Sequence, residues 1–235
     1  MVVSYPSAEA FMEISDIAAL YDSEFETHLI TTEDGYINTI FRIRNLKAQE
    51  NKAPAAAMLF HGFIDSADSF CIKGREKSPA FILADAGYDV WIVNTRGNKH
   101  SRGHTNLNSS VDVEYWKNAM VHHIGKYDVP SFIETIKSIS KVDNMTVVAH
   151  SQGTSLLFNN FAQNQSYYKE SINVLIALGP LGKITSTSPI NTFLIYFFTD
   201  YLEFFLKLGY FHAFDSLNPF SIISSQSCLY LQTPC

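Results

Sequence analysis

The sequence predicts an α/β fold, in which a mostly parallel sheet carries helices on both of its faces. Four short, nearly continuous apolar runs are typical of strands that are buried on both faces. They are "AAAMLF" (55–60), "YDVWIV" (88–93), "MTVVAH" (145–150) and "INVLIAL" (172–178). Helical patterns lie between these runs, at 78–87, 129–140 and 152–163. Strands that alternate with helices in this way indicate a doubly wound parallel sheet.

The segment before these runs predicts an antiparallel hairpin. Residues 25–32 and 36–44 alternate apolar and polar side chains, which is the period of a strand with one buried face. The "EDG" between them is a turn sequence. We therefore expect a β-hairpin at about 25–44, after a loose helical pattern at 8–21.

The last segment, residues 182–235, lacks the alternation of strands and helices. Its most apolar stretch, 188–211, is rich in aromatic residues and has the length of a membrane span. Asp200, Glu203 and Lys207 interrupt it too often for that. One or two amphipathic helices over an apolar surface are the better prediction.

The composition indicates a globular protein and argues against a nucleic-acid partner. Hydrophobic residues make up 46% of the 235 residues and charged residues 17%, unlike the composition of disordered chains. The formal net charge is −6, whereas phosphate binding needs a concentrated positive field. Arg96, Lys99 and Arg102 form one local exception within 95–104.

Targeting, disulfide and metal signals are weak. The first 16 residues contain neither a basic n-region nor a continuous apolar h-region, so we predict no signal peptide. Cys71, Cys228 and Cys235 have neither a metal spacing nor an even disulfide framework, and pairing of the last two stays open. His100 and His104 have the spacing of a ligand pair but lack a third ligand, so no metal site is expected.

Ser151 is the candidate nucleophile. In "VVAHSQGTS" (147–155) it lies between the end of a predicted strand and the start of a predicted helix. The small residues Ala149 and Gly153 lie two positions before and after it. A strand-to-helix turn of this kind is a nucleophile elbow, which lifts the hydroxyl above the sheet and crowds the neighbouring positions. A helix N-cap serine is the alternative, and the local string leaves it open.

A second constellation, "LFHGFIDS" (59–66), places His61 and Gly62 after an early buried strand. A loop at this point supplies one donor of an oxyanion hole, and glycine lets the backbone turn an N–H toward a substrate. We assign the hole to the backbone N–H groups of Phe63 and Gln152. Each donor stabilises a tetrahedral oxyanion by roughly 3 kcal/mol. His61 is expected to orient the loop, with general base as its alternative role.

Four stretches together resemble the acid lipase family, which includes the gastric and lysosomal acid lipases. They occur in that family's order and spacing, and they are "LFHGFIDSADSF", "ADAGYDVWIVNTRGNKHSRGH", "GKYDVPSFIETI" and "VVAHSQGTS". The hairpin sequence "HLITTEDGYINTIFRI" is similar as well, so the resemblance spans roughly 13 to 180. It implies an α/β-hydrolase fold, with the core at 1–181 and a partial helical cap at 182–235. The basic stretch 95–104 then corresponds to a loop near the active site.

The resemblance also implies roles for the matching residues. Ser151 is the nucleophile, and the N–H groups of Phe63 and Gln152 form the oxyanion hole. The residues expected to support the elbow and the oxyanion loop are His61, Gly62, Ala149, His150 and Gly153.

The implied activity is the hydrolysis of lipid carboxylic esters, such as triacylglycerols and cholesteryl esters, through an acyl-serine intermediate in lipid catabolism. The expected partners are a lipid ester substrate and a transient lipid interface, with neither nucleic acid nor metal. No metal or organic cofactor is expected, because ester hydrolysis requires only proton transfer and oxyanion stabilisation. Family members are secreted or lysosomal, whereas the compartment of this chain stays open.

The residues that would complete a catalytic triad do not match. In α/β-hydrolases the acid and then the histidine follow the serine. Asp200, Glu203, His212 and Asp215 follow Ser151, but all lie in the cap-like segment, and the family's acid and histidine come after the cap. We therefore expect a fragment, a truncated gene model or a split gene product with little activity of its own. The alternative is a catalytically silent lipid-binding or interaction protein on a hydrolase scaffold.

Overall fold

The structure is a computed structural model, which describes residues 8–180, apart from 51, 52, 54 and 64, together with Gly182. Nearly all of the predicted cap lies outside the described residues, as do Cys228 and Cys235. The predicted division between core and cap therefore stays a prediction.

The described residues form a seven-stranded sheet. Its strands are β1 (Glu24–Thr31), β2 (Tyr36–Arg44), β3 (Ala56–Phe60), β4 (Asp89–Val93), β5 (Gly103–His104), β6 (Met145–His150) and β7 (Ile172–Leu178). The order across the sheet is β1-β2-β4-β3-β6-β7, and β5 pairs with the start of β2. Strands β4, β3, β6 and β7 are parallel, while β2 is antiparallel to β1 and β4. The predicted parallel sheet with its N-terminal hairpin is confirmed.

Helices connect the strands. They are α1 (Ile14–Leu20), α2 (Leu46–Gln49), α3 (Pro79–Asp85), α4 (Val113–Lys117), α5 (Val121–His123), α6 (Val129–Ser140), α7 (Gln152–Gln163) and α8 (Gln165–Ser171). The bounds of α6 and α7 agree with the predicted ones. The sequence pattern missed α2, α4, α5 and α8, because such short helices contain too few turns to show an apolar period. Within the described ranges, no helix combines the length and the hydropathy that crossing a lipid bilayer requires.

The strands separate two hydrophobic cores, one on each face of the sheet. Met58, Phe60 and Ala149 point to one face, where they share a core with residues of α6 and α7. Leu59 and Val148 point to the other face and share a core with residues of α1 and α3. Successive residues of one strand therefore enter different cores, which is why β3 is buried along its whole length.

Strand β7 departs from the prediction of burial on both faces. Val174, Ile176 and Leu178 are 48%, 45% and 42% exposed. The reason is the position of β7 in the described sheet, where it is the outer strand and β6 is its one neighbour. An apolar run predicts a strand here correctly, but the run alone does not determine how much of the strand is covered.

Candidate active site

Ser151 occupies the turn that joins β6 to α7. Its backbone has φ 49° and ψ −115°, a region that residues with a Cβ rarely adopt. The Ser151 N–H donates to the Leu178 carbonyl oxygen at 2.9 Å, which continues the pairing of β6 with β7. The N–H and hydroxyl of Thr154 donate to the Ser151 carbonyl oxygen at 3.0 and 2.6 Å. These bonds hold the tight turn between β6 and α7 at the carboxyl edge of the parallel strands, where ligands bind in open α/β sheets.

The structure does not support the N-cap alternative for Ser151. The residue stands at the N-cap position of α7, but its hydroxyl makes no capping hydrogen bond. An N-cap side chain ordinarily accepts from an N–H of the first helical turn. Asn164 does this at the start of α8, where its side chain accepts from the Tyr167 N–H. The Ser151 hydroxyl is therefore not engaged in holding the helix.

Gly153 allows α7 to approach β3 closely. A Cβ at this position would lie 2.6 Å from Phe60 Cδ1, 2.8 Å from the His61 carbonyl oxygen and 3.1 Å from the Phe60 carbonyl oxygen. Two of these three atoms belong to the backbone of the adjacent strand, which has little freedom to move. The small residue that the elbow pattern requires after the serine is thus explained by a direct contact.

Gly62 brings the loop after β3 against the elbow. A Cβ here would lie 3.0 Å from His150 Nδ1 and 3.2 Å from the Ser151 Cβ. The two loops are neighbours because β3 and β6 are parallel and paired up to Phe60 and Ala149. His150 therefore packs beside the oxyanion loop, in keeping with the supporting role predicted for it.

The two predicted oxyanion donors belong to these loops. The Phe63 N–H follows Gly62, and the Phe63 side chain is 60% exposed. Gln152 is the first residue of α7, so its N–H is one of those that have no carbonyl partner within the helix. Both residues lie at the edge of the sheet that carries Ser151, and their assignment as the oxyanion hole stays a prediction.

His61 is a buried ring with a partner on each nitrogen. Its side chain reaches back to its own loop, where Nδ1 lies 2.7 Å from the Gly62 carbonyl oxygen. Nε2 accepts from the Thr95 N–H at 3.2 Å and lies 3.3 Å from Asn98 Nδ2. Burial lowers the pKa of His61, so the ring is neutral near pH 7. Both ring nitrogens are thus engaged by groups other than the Ser151 hydroxyl, and the orienting role of His61 stays a prediction.

Asn94 and Asn98 extend this network beyond the residues that sequence reasoning selected. Asn94 is fully buried; its Oδ1 accepts from the Ala67 N–H at 3.0 Å and its Nδ2 donates to the Thr39 carbonyl oxygen at 3.1 Å. Asn98 Nδ2 donates to Asn94 Oδ1 at 2.9 Å. The signal was present in the "NTRGN" string, but the partners are distant in sequence, so the string alone did not give the contacts.

Arg96 gives the basic stretch a structural role. Its guanidinium is fully buried and bonds to Asp128 Oδ1 from Nε and Nη2, at 2.9 and 2.7 Å. It also bonds to both carboxylate oxygens of Asp34, at 2.6 and 2.9 Å. Burial alone would raise the pKa of Asp34, but the hydrogen bonds from Arg96 and Thr32 outweigh it and lower that pKa. The stretch therefore stabilises a loop beside the site.

Other described histidines have contacts of their own. His100 Nε2 lies 2.7 Å from Asp68 Oδ2, and the rings of His122 and His123 are 3.9 Å apart. In the part of the chain that the structure describes, no histidine is hydrogen-bonded to the Ser151 hydroxyl, and no cluster of three potential metal ligands occurs. The described residues thus bring the predicted nucleophile and the predicted oxyanion loop together, and none of the described histidines bonds to the serine.

Comparisons with known proteins agree with this geometry. Residues 58–234 match the model of the alpha/beta hydrolase fold, and residues 14–74 match that of a partial alpha/beta-hydrolase lipase region. A putative lipase from Sulfolobus solfataricus superimposes with a TM-score of 0.52 at 18% identity, covering 71% of this chain and 49% of that one. This likeness concerns the fold alone.

Relatives in sequence come from several animals. The human lysosomal acid lipase/cholesteryl ester hydrolase is 36% identical over 184 residues, which are 77% of this chain and 45% of that protein. The mouse gastric triacylglycerol lipase is 39% identical over 183 residues, or 76% of this chain and 45% of the relative. The chain thus spans less than half the length of these relatives. The resemblance seen in the sequence motifs is confirmed, and the chain belongs to the α/β-hydrolase family, among the relatives of the gastric and lysosomal acid lipases.

Proposed function

We propose that this chain belongs to a lipid carboxylic ester hydrolase, of the triacylglycerol lipase or steryl esterase type, with Ser151 as the nucleophile. The observation that carries the proposal is the pairing of two loops at one edge of the sheet. Ser151 stands in a positive-φ turn with its hydroxyl not used as a cap, and Gly62 lies against its Cβ. The relatives named for triacylglycerols and cholesteryl esters support the choice of lipid esters as substrates.

The reaction begins with attack of Ser151 Oγ on the ester carbonyl carbon, while a general base takes the hydroxyl proton. The carbonyl oxygen becomes an oxyanion and accepts hydrogen bonds from the Phe63 and Gln152 N–H groups. The bond to the alkoxy oxygen then breaks, and the base returns its proton to the leaving alcohol. Water, deprotonated by the same base, attacks the acyl-serine, releases the carboxylic acid and regenerates Ser151.

The residues around these groups keep them in place. Gly153 lets α7 approach β3, and Ala149 is the other small residue of the elbow. In the oxyanion loop, His61 contacts the Gly62 carbonyl, and His150 packs beside Gly62. None of the described histidines bonds to Ser151, so we place the general base among residues outside the described ranges.

A second candidate function rests on that observation. Without a base, most of the reactivity of a serine is lost, and what remains comes from the oxyanion hole and binding. A catalytically silent protein that binds lipid or another protein is therefore the alternative. It predicts a scaffold that folds and binds but does not acylate Ser151.

A fluorophosphonate probe distinguishes the two candidates, because it phosphonylates an activated serine covalently. In the natural protein we expect labelling at Ser151, located by mass spectrometry, and hydrolysis of a short-chain nitrophenyl ester. Ser151→Ala should abolish both. The matched control is Ser138→Ala, on the exposed side of α6, which should leave both unchanged.

The outcomes decide between the candidates. Labelling that survives Ser151→Ala would remove Ser151 as the nucleophile. A folded natural protein that takes up neither label nor substrate would favour the silent alternative. Activity that persists in a chelator would support the proposed metal-free chemistry.

A further inference from the structure

We propose that Asn98, together with the Thr95 N–H, fixes the tautomer of His61 and through it the direction of the Phe63 N–H. The inference rests on the proposed function, because the Phe63 N–H matters as an oxyanion donor. It adds a positioning residue, Asn98, that lies 35 positions beyond the oxyanion loop in sequence.

The first step is the peptide unit between Gly62 and Phe63. The carbonyl that His61 Nδ1 contacts at 2.7 Å belongs to the same planar unit as the Phe63 N–H. In a trans peptide the C=O and N–H bonds point in opposite directions. A hydrogen bond that holds the carbonyl therefore also sets the direction of the N–H.

The second step is the tautomer of His61. A backbone N–H can only donate, so the Thr95 N–H at 3.2 Å requires a lone pair on Nε2. In the neutral ring the proton is then on Nδ1, which donates to the Gly62 carbonyl oxygen. The tautomer that the Thr95 N–H selects is thus the one that can hold the peptide unit.

The third step is the orientation of the Asn98 amide. Its Oδ1 accepts from the His100 N–H at 2.9 Å, which leaves Nδ2 facing both Asn94 Oδ1 and His61 Nε2. Asn94 is oriented in turn by the Thr39 carbonyl and the Ala67 N–H. Backbone groups therefore determine which way each amide points, and Asn98 offers Nε2 a further donor beside the Thr95 N–H and the Thr95 hydroxyl, which lies 3.3 Å from Nε2.

The charged groups near His61 do not reverse this arrangement. Burial is the main cause of its lowered pKa; the Asp65 carboxylate acts in the opposite direction and His100 in the same direction. A neutral ring with one proton is the form in which a single tautomer can be selected.

Asn98→Asp tests the inference with nearly no change of shape. The aspartate keeps an acceptor for the His100 N–H but turns an oxygen, instead of an N–H, toward His61 Nε2. This favours protonation of Nε2, which then no longer accepts from the Thr95 N–H. Asn106→Asp is the matched control, because it makes the same change on an exposed residue of the following loop.

The first measurement is the ¹⁵N NMR spectrum of the histidine rings, with His61 assigned by its loss in His61→Gln. We expect a neutral ring with its proton on Nδ1 in the wild-type protein, and protonated Nε2 in Asn98→Asp at the same pH. Asn106→Asp should give the wild-type spectrum. A wild-type ring that carries its proton on Nε2, or a spectrum that Asn98→Asp leaves unchanged, would overturn the inference.

The second measurement is steady-state hydrolysis by the natural protein. Asn98→Asp should lower kcat at least about tenfold with little change in KM, because a misdirected donor affects the oxyanion more than substrate binding. An altered tautomer with unchanged kcat would overturn the link to the Phe63 N–H. If the wild-type protein hydrolyses no ester, the proposed function fails, while the NMR spectra still decide the tautomer.

Discussion

Ser151 holds a backbone conformation that its own side chain disfavours. Positive φ with a Cβ present costs of the order of 1–3 kcal/mol, and it persists where the surrounding structure requires it. Here the requirement comes from both sides, through the bonds to Leu178 and Thr154. The hydroxyl of the strained residue makes no capping bond to α7, so stability and the proposed function make opposite demands on this residue.

The strain predicts that Ser151→Gly is more stable than Ser151→Ala, by about 1 kcal/mol. Both variants lose the hydroxyl, but the glycine alone is free of the Cβ that disfavours φ 49°. The measurement is the free energy of unfolding in urea. Equal stability of the two variants would mean that the turn is relaxed.

Sequence reasoning proposed residues for an elbow and an oxyanion loop because each lies beside the end of a predicted strand, and the structure brings those two loops together. It did not reach Asn98, whose partners His61 and Asn94 lie on other loops. A polar side chain in a loop has no period, and its contacts depend on how separate strands are ordered in the sheet. The Ser151 hydroxyl was predicted as a nucleophile or a cap, and the backbone angles favour the first.

At the scale of elements, α7 packs closely against β3 beside the candidate site. The helix can lie so near the strand because Gly153 contributes no side chain at the crossing. The same contact places the start of α7, which carries the Gln152 N–H, next to the loop that follows β3.

Gly153→Ala should therefore destabilise the protein by about 1–3 kcal/mol, as overpacking of a tight contact does. The added methyl group would meet the backbone oxygens of Phe60 and His61 at 3.1 and 2.8 Å. Gly182→Ala is the control, since a Cβ there meets no atom within 4 Å. Thermal unfolding of both variants tests this, and a Gly153→Ala protein as stable as the control would contradict it.

The elements themselves differ in how well the sequence predicts them. Strands β3, β4 and β6 lie between two cores and appear as apolar runs, so their bounds were predicted within one residue. The prediction that β7 is buried on both faces was wrong, since the burial of a strand depends on neighbouring elements that the apolar run does not encode. The segment of α4 and α5 was missed, because it is held by side-chain contacts such as the bond from Trp116 to the Ser109 carbonyl.

At the scale of the whole molecule, paired charges connect parts of the chain that are distant in sequence. Among the described residues, four partly buried carboxyls have a lowered pKa, although burial alone would raise it, because hydrogen bonds from cationic partners outweigh burial. They are Glu26, Asp34, Asp68 and Asp85. Burial raises the pKa of Asp128, so its contribution to stability changes with pH in the opposite direction.

These shifts predict how stability depends on pH. A group with a lowered pKa in the folded state contributes fully above its unfolded pKa, and the contribution is lost as the pH falls toward the folded value. The pKa of His61 is also lowered in the folded protein, because its ring is buried. The unfolded chain therefore binds that proton more readily, and the free energy of unfolding should begin to fall as the pH drops below about 6.5, the ordinary pKa of histidine. It should fall more steeply below about pH 4, where unfolded carboxyls take up protons.

Urea unfolding from pH 8 to pH 3 tests this dependence. Asp34→Asn should lower stability at pH 7 and flatten the decline below pH 4, because the charge that Arg96 binds is gone. Glu33→Gln, at the exposed neighbouring position, should leave the wild-type profile. A free energy of unfolding that increases as the pH is lowered from 6.5 to 4 would contradict the prediction.

The pairing of β3 with β6 has a consequence for how proteins of this kind diversify. The two loops of the candidate site follow adjacent strands, and backbone hydrogen bonds keep such strands about 4.8 Å apart whatever side chains they carry. The spacing between the proposed nucleophile and the proposed oxyanion loop is thus kept wherever the pairing of these two strands is kept. Descendants can exchange the segments that would select a substrate and still keep the relative placement of these two loops.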